Sequence, residues 1–431
     1  MTESNSSLYL YLQDDKLLSC KRWFVLFAVY SLNICILVLS LISMGLFGAT
    51  ESNKSNAMEG VANLKIRAQK EIELNKKAQA ISWYEAKSVK YAKYKINYLK
   101  EGMVHVKGIV ANNNNTVRVN IIEINKNINS NLIVKPQIAS ERLDSRVKIK
   151  TIAEKTNSIA AINGGYFKPQ TGVPLGALVI DNELLTGPIY NRVAISINKD
   201  GTYSIGKTDF EFFVKNKKIN LKIDNINQPR MLSTYTLLYT DRWGKISPPP
   251  PKYGANVIVE NGIAKGIYNS SVEIPKNGFV ISAPKSKIQN LVGEKKLKLN
   301  IKYPKHFKDS EHIISGGPYL IKDGEIYINT KEEKLTAITG KNPRTLIGYT
   351  KNNDLILVTI DGREAHSIGM SLYESARFMQ KLGCINAINL DGGSSSVMYV
   401  NGQITNQPPT KDGIPLSGVI TIFENSTIAS K

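Results

Sequence analysis

Four short segments of this 431-residue chain pair glycines or aspartates with a strand-like run just before them. Asn163-Gly164-Gly165-Tyr166-Phe167 follows the apolar run 159–162, and Ser315-Gly316-Gly317-Pro318-Tyr319 is built alike. Asp361-Gly362-Arg363 closes 355–360, and Asp391-Gly392-Gly393-Ser394-Ser395-Ser396 closes 387–390. Adjacent glycines let the backbone adopt positive φ and turn successive N–H groups to one side, which makes a concavity for anions. A polar residue before each pair, and hydroxyls at Ser394 and Ser395 after the last, suit a phosphate or a sugar. Any one of these segments reads as a plain turn. Four of them, three with Asn or Asp at the strand end, read as one site.

Acid–base chemistry needs carboxylates held in a pocket. Asp361 and Asp391 leave the ends of hydrophobic strands at similar depth, and Glu374 falls in the first turn of a helix after Gly369. The plainer readings are turn chemistry for the aspartates and a dipole-favoured surface position for Glu374. Arg344 precedes a strand, and a guanidinium fork matches phosphate oxygens two at a time. Arg363 and His366, in the loop after Asp361, are placed to do the same. The other histidines, His105, His306 and His312, are remote in sequence, so neither a histidine metal site nor a histidine-based triad is written here. No Gly-x-Ser-x-Gly elbow surrounds Ser394–Ser396. Cys20 and Cys35 sit at the N-terminal apolar run, which leaves Cys384 as a lone, buried, apolar-like residue without a disulfide partner in its own domain.

The elements that must position these groups are mostly strands. Runs 117–122, 176–180, 255–259 and 355–360 are short and rich in β-branched residues. Asp200-Gly201, Asn261-Gly262, Asp323-Gly324 and Asn401-Gly402 mark hairpin turns between such runs. Helices are expected at 145–156 and 371–382, the second stopped by Gly383. The expected fold is α+β, a large mixed but mainly antiparallel β-sheet domain with a few helices, covering 102–425. Residues 207–308 read as further sheet of that domain, with Pro248–Pro251 in a loop. Upstream, 23–47 is an apolar run long enough to span ~30 Å of bilayer. Lys21 and Arg22 before it place 1–22 in the cytoplasm and the rest outside, as an uncleaved signal anchor. Residues 48–101 read as a helical stalk with a loose apolar stripe, a place where the chain can oligomerise.

The formal charge is +20, yet the lysines are scattered and no nucleic-acid motif gathers them. A spread basic surface suits acidic polymers, anionic membrane or phosphate-bearing glycans, and nucleic acid is not expected as a partner.

Taken together, the segments AAINGGYF, ISGGPYLIKDG, NPRTLIGY, LVTIDGR, GMSLYESARFMQKLG and INAINLDGGSSSVMYVNG resemble the phosphodiester glycosidase family across roughly 102–424. The resemblance implies functional positions at Asn163, Gly164, Arg344, Asp361, Glu374, Asp391, Gly392, Gly393 and Ser395. One departure is the stretch Gly413-Ile414-Pro415-Leu416-Ser417, where family members often carry an arginine. The implied activity removes a sugar from a sugar-1-phosphodiester, on a cell-envelope glycan or exopolysaccharide, with no cofactor or metal. Breaking the anomeric bond passes through an oxocarbenium-like state that carboxylates stabilise or attack. On this reading Asp391 and Glu374 are the acid–base or nucleophile pair and Asp361 orients sugar hydroxyls. Arg344 and the glycine N–H groups hold the departing phosphate. The alternatives are a non-catalytic phosphoglycan-binding module, a metal-dependent phosphodiesterase built on Asp361, Asp391 and Asn163, and a structural envelope protein.

Overall fold

The computed structural model describes residues 51–112 and 115–425. Contacts divide the chain into a first unit ending at Ser82 and a second beginning at Trp83. The described part of the first unit is helical, within a helix Glu51–Lys90 that ends in the second unit. Leu64, Ile72 and Ile81, part of the expected apolar stripe, are exposed along it. Among the described residues no helix is long and apolar enough to cross a membrane. The apolar run 23–47 and the segment 1–22 lie outside the described residues. The segment read as stalk stops short of residue 101, because Lys95–Lys100 is the edge strand of a sheet.

The second unit is built on an eight-stranded sheet. Its order is Lys95–Lys100, Met103–Asn112, Asn115–Asn125, Asp354–Ile360, Arg344–Thr350, Cys384–Asn389, Tyr319–Lys322 and Glu325–Ile326. Every neighbouring pair in it is antiparallel. Side chains alternate between its faces. Val106, Ile121, Val358 and Leu346 pack on one face with Leu372, Ala376 and Met379 of the helix Leu372–Lys381. Ile122, Leu357, Ile347 and Ile388 on the other face enter the central core.

That core is closed by two five-stranded sheets. One runs Gln403–Ile404, Met398–Val400, Ala160–Asn163, Gly418–Glu424, Leu132–Ile138; the other is centred on Ser310–Ser315 between Leu178–Ile180 and Val193–Asn198. Residues 207–308 supply every strand of two further sheets around a core that includes Phe212, Val257 and Ile281. Among the described residues the mainly antiparallel expectation holds, with one short parallel pairing, Asn225–Ile226 with Leu237–Tyr239. The four Asn-Gly and Asp-Gly dipeptides each sit at a strand-to-strand turn, with Asn261, Asp323 and Asn401 at φ 50°, 52° and 45°. Such pairs of positive-φ residues match the twist of the strands they join.

Both helices expected from the pattern are present. The first is shortened to Ile149–Lys155, since Val147 bridges to Leu416 instead of joining a helical turn.

Candidate active site

The strand Arg344–Thr350 runs antiparallel to both of its neighbours. The flanking strands Asp354–Ile360 and Cys384–Asn389 therefore end at the edge where it begins. This places Asp361 and Asp391 on one rim of the sheet, as the sequence pattern implied, and brings Arg344 to the same rim. Gly317 joins them, its N–H donating to the Asn389 carbonyl at 2.7 Å.

Asp391 is the chemical centre of this rim. Burial pushes its carboxyl up to about 6, against opposing hydrogen bonds from Ser395 and the Gly392 amide and the positive charge of Arg192. Gly392 N–H donates to Asp391 Oδ1 at 3.0 Å. The turn is held from below by Asn163, which is 1% exposed. Its Nδ2 donates to the Asp391 carbonyl at 2.7 Å, and its Oδ1 accepts from Thr345 Oγ1 at 2.7 Å and Val397 N–H at 3.2 Å. Asn163 is thus a tie between its own strand, the strand Arg344–Thr350 and the segment 391–397, with its polar atoms engaged by the protein rather than offered to a ligand.

The Ser315–Tyr319 segment is gathered in by Tyr166. Its hydroxyl donates to the Gly317 carbonyl at 2.8 Å and receives Asn389 Nδ2 at 3.0 Å. The Arg192 guanidinium lies 4.9 Å from the Tyr166 ring centre. Its Nε donates to the Glu333 carbonyl at 3.2 Å. The Glu333 carboxylate accepts the amides of Val193 and Tyr319, each at 3.3 Å. Glu333 is 2% exposed, and burial raises it to about 7. These three residues were not singled out from sequence as site residues. Tyr166 stands inside the Asn163–Phe167 segment as an ordinary aromatic, Arg192 stands in an unremarkable turn, and Glu333 hides in the charge run Lys331–Lys334, which reads as a solvated face. No local signal separates them from ordinary surface residues; only the fold turns them inward.

Arg344 is 1% exposed, and its guanidinium donates to the carbonyls of Met370 at 2.9 Å, Ile338 at 2.6 Å and Gly340. Burial lowers it to about 10. It braces the loop 338–340 and the entrance to the helix, so the expected phosphate fork is already occupied by backbone. The guanidinium that reaches the glycine turn belongs to exposed Arg363. A Cβ on Gly393, at φ 62°, would stand 3.2 Å from Arg363 Nη2, which donates to Asn342 Oδ1 at 2.9 Å.

The glycine cradle also differs from expectation. Gly164 N–H donates to Gly418, Gly393 to Pro343, Ser395 to Gly392 and Ser396 to Gly393. Most of the expected anion donors are therefore filled from within. The glycines serve close packing: a Cβ on Gly165 would lie 2.2 Å from the Ser315 carbonyl oxygen. Ser394 is half-exposed on the turn and Ser395 is buried beneath it.

Asp361 is 2% exposed, with burial raising its pKa. Its Oδ1 accepts Asn406 Nδ2 at 3.1 Å and Gln407 N–H at 3.0 Å. It faces a cleft beside the Asp391 turn, with His366 and Arg118 as its nearest cationic influences. Glu374 departs most from its expected role. It completes a capping box on the helix Leu372–Lys381, Oε2 accepting Ser371 N–H at 2.7 Å while its own N–H reaches Ser371 Oγ at 3.2 Å. Its Oε1 lies 3.7 Å from Lys341. The metal reading fares no better at the rim, since Asn163 is engaged and Asp361 is turned to the neighbouring cleft. Among the described residues the acidic-histidine trio is elsewhere, at Asp181, Glu311 and His312, and Lys135 already contacts Asp181 at 2.6 Å.

Comparison with known proteins matches the phosphodiester glycosidase family model over residues 253–423. The bovine and human N-acetylglucosamine-1-phosphodiester alpha-N-acetylglucosaminidases are 35% and 36% identical over 107 residues, 22% of this chain. The matched stretch spans only 20% and 21% of those relatives. A SPbeta prophage-derived uncharacterized protein, YomE, of Bacillus subtilis is 32% identical over 118 residues, 27% of this chain and 17% of its own. The crystal structure of a hypothetical protein from Synechocystis aligns with a TM-score of 0.71 and 25% identity, over 77% of this chain and 64% of that one. An exported protein of Burkholderia pseudomallei shares the fold at TM-score 0.61 and 18% identity, over 72% and 75%. Residues 253–423 therefore match the phosphodiester glycosidase family, and strands that precede residue 253 in the chain complete the sheets they belong to.

Proposed function

We propose that this protein hydrolyses a sugar-1-phosphodiester, releasing the sugar and leaving a phosphate monoester on a larger glycan. The observation that carries the reading is Asp391: a half-buried carboxylate raised to about 6, at the head of a glycine turn, with Arg192 near it and Arg363 against Gly393 of the same turn. An ionised Asp391 at the anomeric carbon stabilises the oxocarbenium-like state, or attacks it, or activates water. Phosphate is a good leaving group, so the demand falls on holding its departing charge. Exposed Arg363 at Gly393 is the group placed for that, in preference to the buried Arg344. Arg192 keeps positive potential near Asp391 and so favours its ionised form.

The domain acts outside the cytoplasm, tethered through the apolar run 23–47, where phosphodiester-linked envelope or exopolysaccharide chains are the accessible substrates. The basic character of the whole chain suits such anionic polymers.

The test is to incubate the purified protein with a panel of sugar-1-phosphodiesters, beside Asp391→Asn, and to measure free sugar. Wild-type release with a loss of at least a hundredfold in the variant is expected. Retention of phosphoglycan binding with no sugar released by the parent would turn the reading to a binding module.

A further inference from the structure

The cleft faced by Asp361 is distinct from the Asp391 turn and adjoins it. It encloses about 380 Å³ and is walled by Lys107, Arg118, Asn120, Asp361, Thr405 and Gln407. Register places these groups on one face of the sheet. Lys107 lies opposite Asn120, which lies opposite Thr359. Two residues along, on the same face, Arg118 lies beside Asp361, whose N–H donates to the Arg118 carbonyl at 3.0 Å. Nearer the middle of the strands this face is core; toward its rim it turns polar and cationic.

Two features connect the cleft to the turn. Asn406, between Thr405 and Gln407, donates from Nδ2 to Asp361 Oδ1 and to the Ser396 carbonyl, both at 3.1 Å, and accepts Met398 N–H at 2.8 Å. One loop is thus wall to both. Gly362 then leads directly from Asp361 to Arg363 at Gly393. Fully buried Thr359 and Ser396, at this junction, each have a hydroxyl without a protein partner. Buried polar atoms are rarely left so, which marks the junction as a place for water or ligand hydroxyls.

We propose that this cleft is a binding subsite for the part of the substrate beyond the scissile phosphate, a hydroxyl-rich chain bearing further phosphodiester charge. It rests on the glycosidase reading above. Exposed Lys107 and half-buried Arg118 take the negative charge, while Asn120, Asp361 and Gln407 take hydroxyls. Arg118 is held in position by Gln407, its Nη1 donating to Oε1 at 2.9 Å. Ile109, 60% exposed at the rim, offers an apolar patch for a sugar face.

The experiment compares full-length wild type with Lys107→Ala, Arg118→Ala, their combination and Arg118→Lys. Two substrates carry the same sugar: its methyl phosphodiester, and a glycerol-phosphate oligomer bearing that sugar through a 1-phosphodiester. The double variant should raise KM for the oligomer about tenfold, leaving its kcat and all constants for the methyl ester within about twofold. Arg118→Lys should restore much of the loss. Equal losses on both substrates, or none on either, would overturn the subsite. Binding of the oligomer to Asp391→Asn, with and without the double change, is measured by calorimetry as a separate arm. If wild type releases no sugar from either substrate, the glycosidase reading fails by itself. The binding arm then still decides: weaker binding on removal of the two cations supports the subsite, and unchanged binding removes it.

Discussion

At the scale of single residues, the candidate chemistry rests on a carboxylate that folding has made reluctant to ionise. Asp391 is raised from 3.8 to about 6 by burial. If it acts ionised, as nucleophile or base, kcat/KM should fall about tenfold per pH unit below about 6. The same shift sets a stability trend. A carboxylate with a raised folded-state pKa stabilises the fold below its unfolded value, and that contribution is lost as pH rises from near 4 through about 6. Asp391→Asn should therefore melt higher than wild type at pH 7, with the gap closing by pH 4, as thermal unfolding across that range would show. An inactive variant more stable than its parent is the usual mark of a site where function opposes stability. Asp361 and Asp391 were legible in sequence because a polar residue that ends an apolar strand has few structural reasons to be there. Glu333 was not, since its burial depends on a sheet edge and on Arg192, neither of which is local to it.

Among the elements, the helix Leu372–Lys381 shows where pattern reading and geometry part. Its position, its stop at Gly383 and its buried stripe of Leu372, Ala376 and Met379 follow from 3.6-residue periodicity. The role of Glu374 does not. The motif Ser-x-x-Glu before an apolar run is a capping signature in its own right, and the structure uses it so. Glu374→Gln, which can still reach back to the Ser371 amide, should keep sugar release within about threefold. Glu374→Ala should lower stability by about 1 kcal/mol. Abolition of release by Glu374→Gln, with an unchanged melt, would restore the carboxylate to the mechanism. The glycine segments carry the same lesson. Their pattern suggests anion cradles, whereas Gly165 and its counterparts let backbones approach more closely than any side chain permits. Either use leaves the same sequence trace.

Over the whole molecule, the antiparallel character and the hairpins were legible, because turn dipeptides and β-branched runs are local signals. The partition of the described residues into five sheets was not, because it is fixed by pairings up to hundreds of residues apart. One such long-range feature is a buried cluster at the start of the second unit. Lys87 Nζ lies 2.6 Å from Glu123 and 2.9 Å from Asp354. Lys90 lies 3.0 Å from Glu123, and Trp83 Nε1 donates to Asp354 at 3.0 Å. Glu123 and Asp354 are 0% and 3% exposed, on adjacent strands. Removing one partner of such a pair leaves an uncompensated buried charge. Lys87→Met should accordingly cost about 3–5 kcal/mol, read by chemical denaturation of the full chain. A fragment beginning at Met103 would lose both lysines and the edge strand together, so a soluble version has to start upstream of Trp83.

The pairing of Gly418–Glu424 between Ala160–Asn163 and Leu132–Ile138 has a consequence in time. Asn163, which ties down the Asp391 turn, sits in a strand whose neighbour follows every candidate site residue in the chain. As the ribosome or a translocation pore delivers the polypeptide from its N-terminus, every candidate active-site residue emerges before the strand that locks them in register. Activity should thus appear only once Gly418–Glu424 has emerged and paired, and a molecule clipped before Gly418 should stay silent.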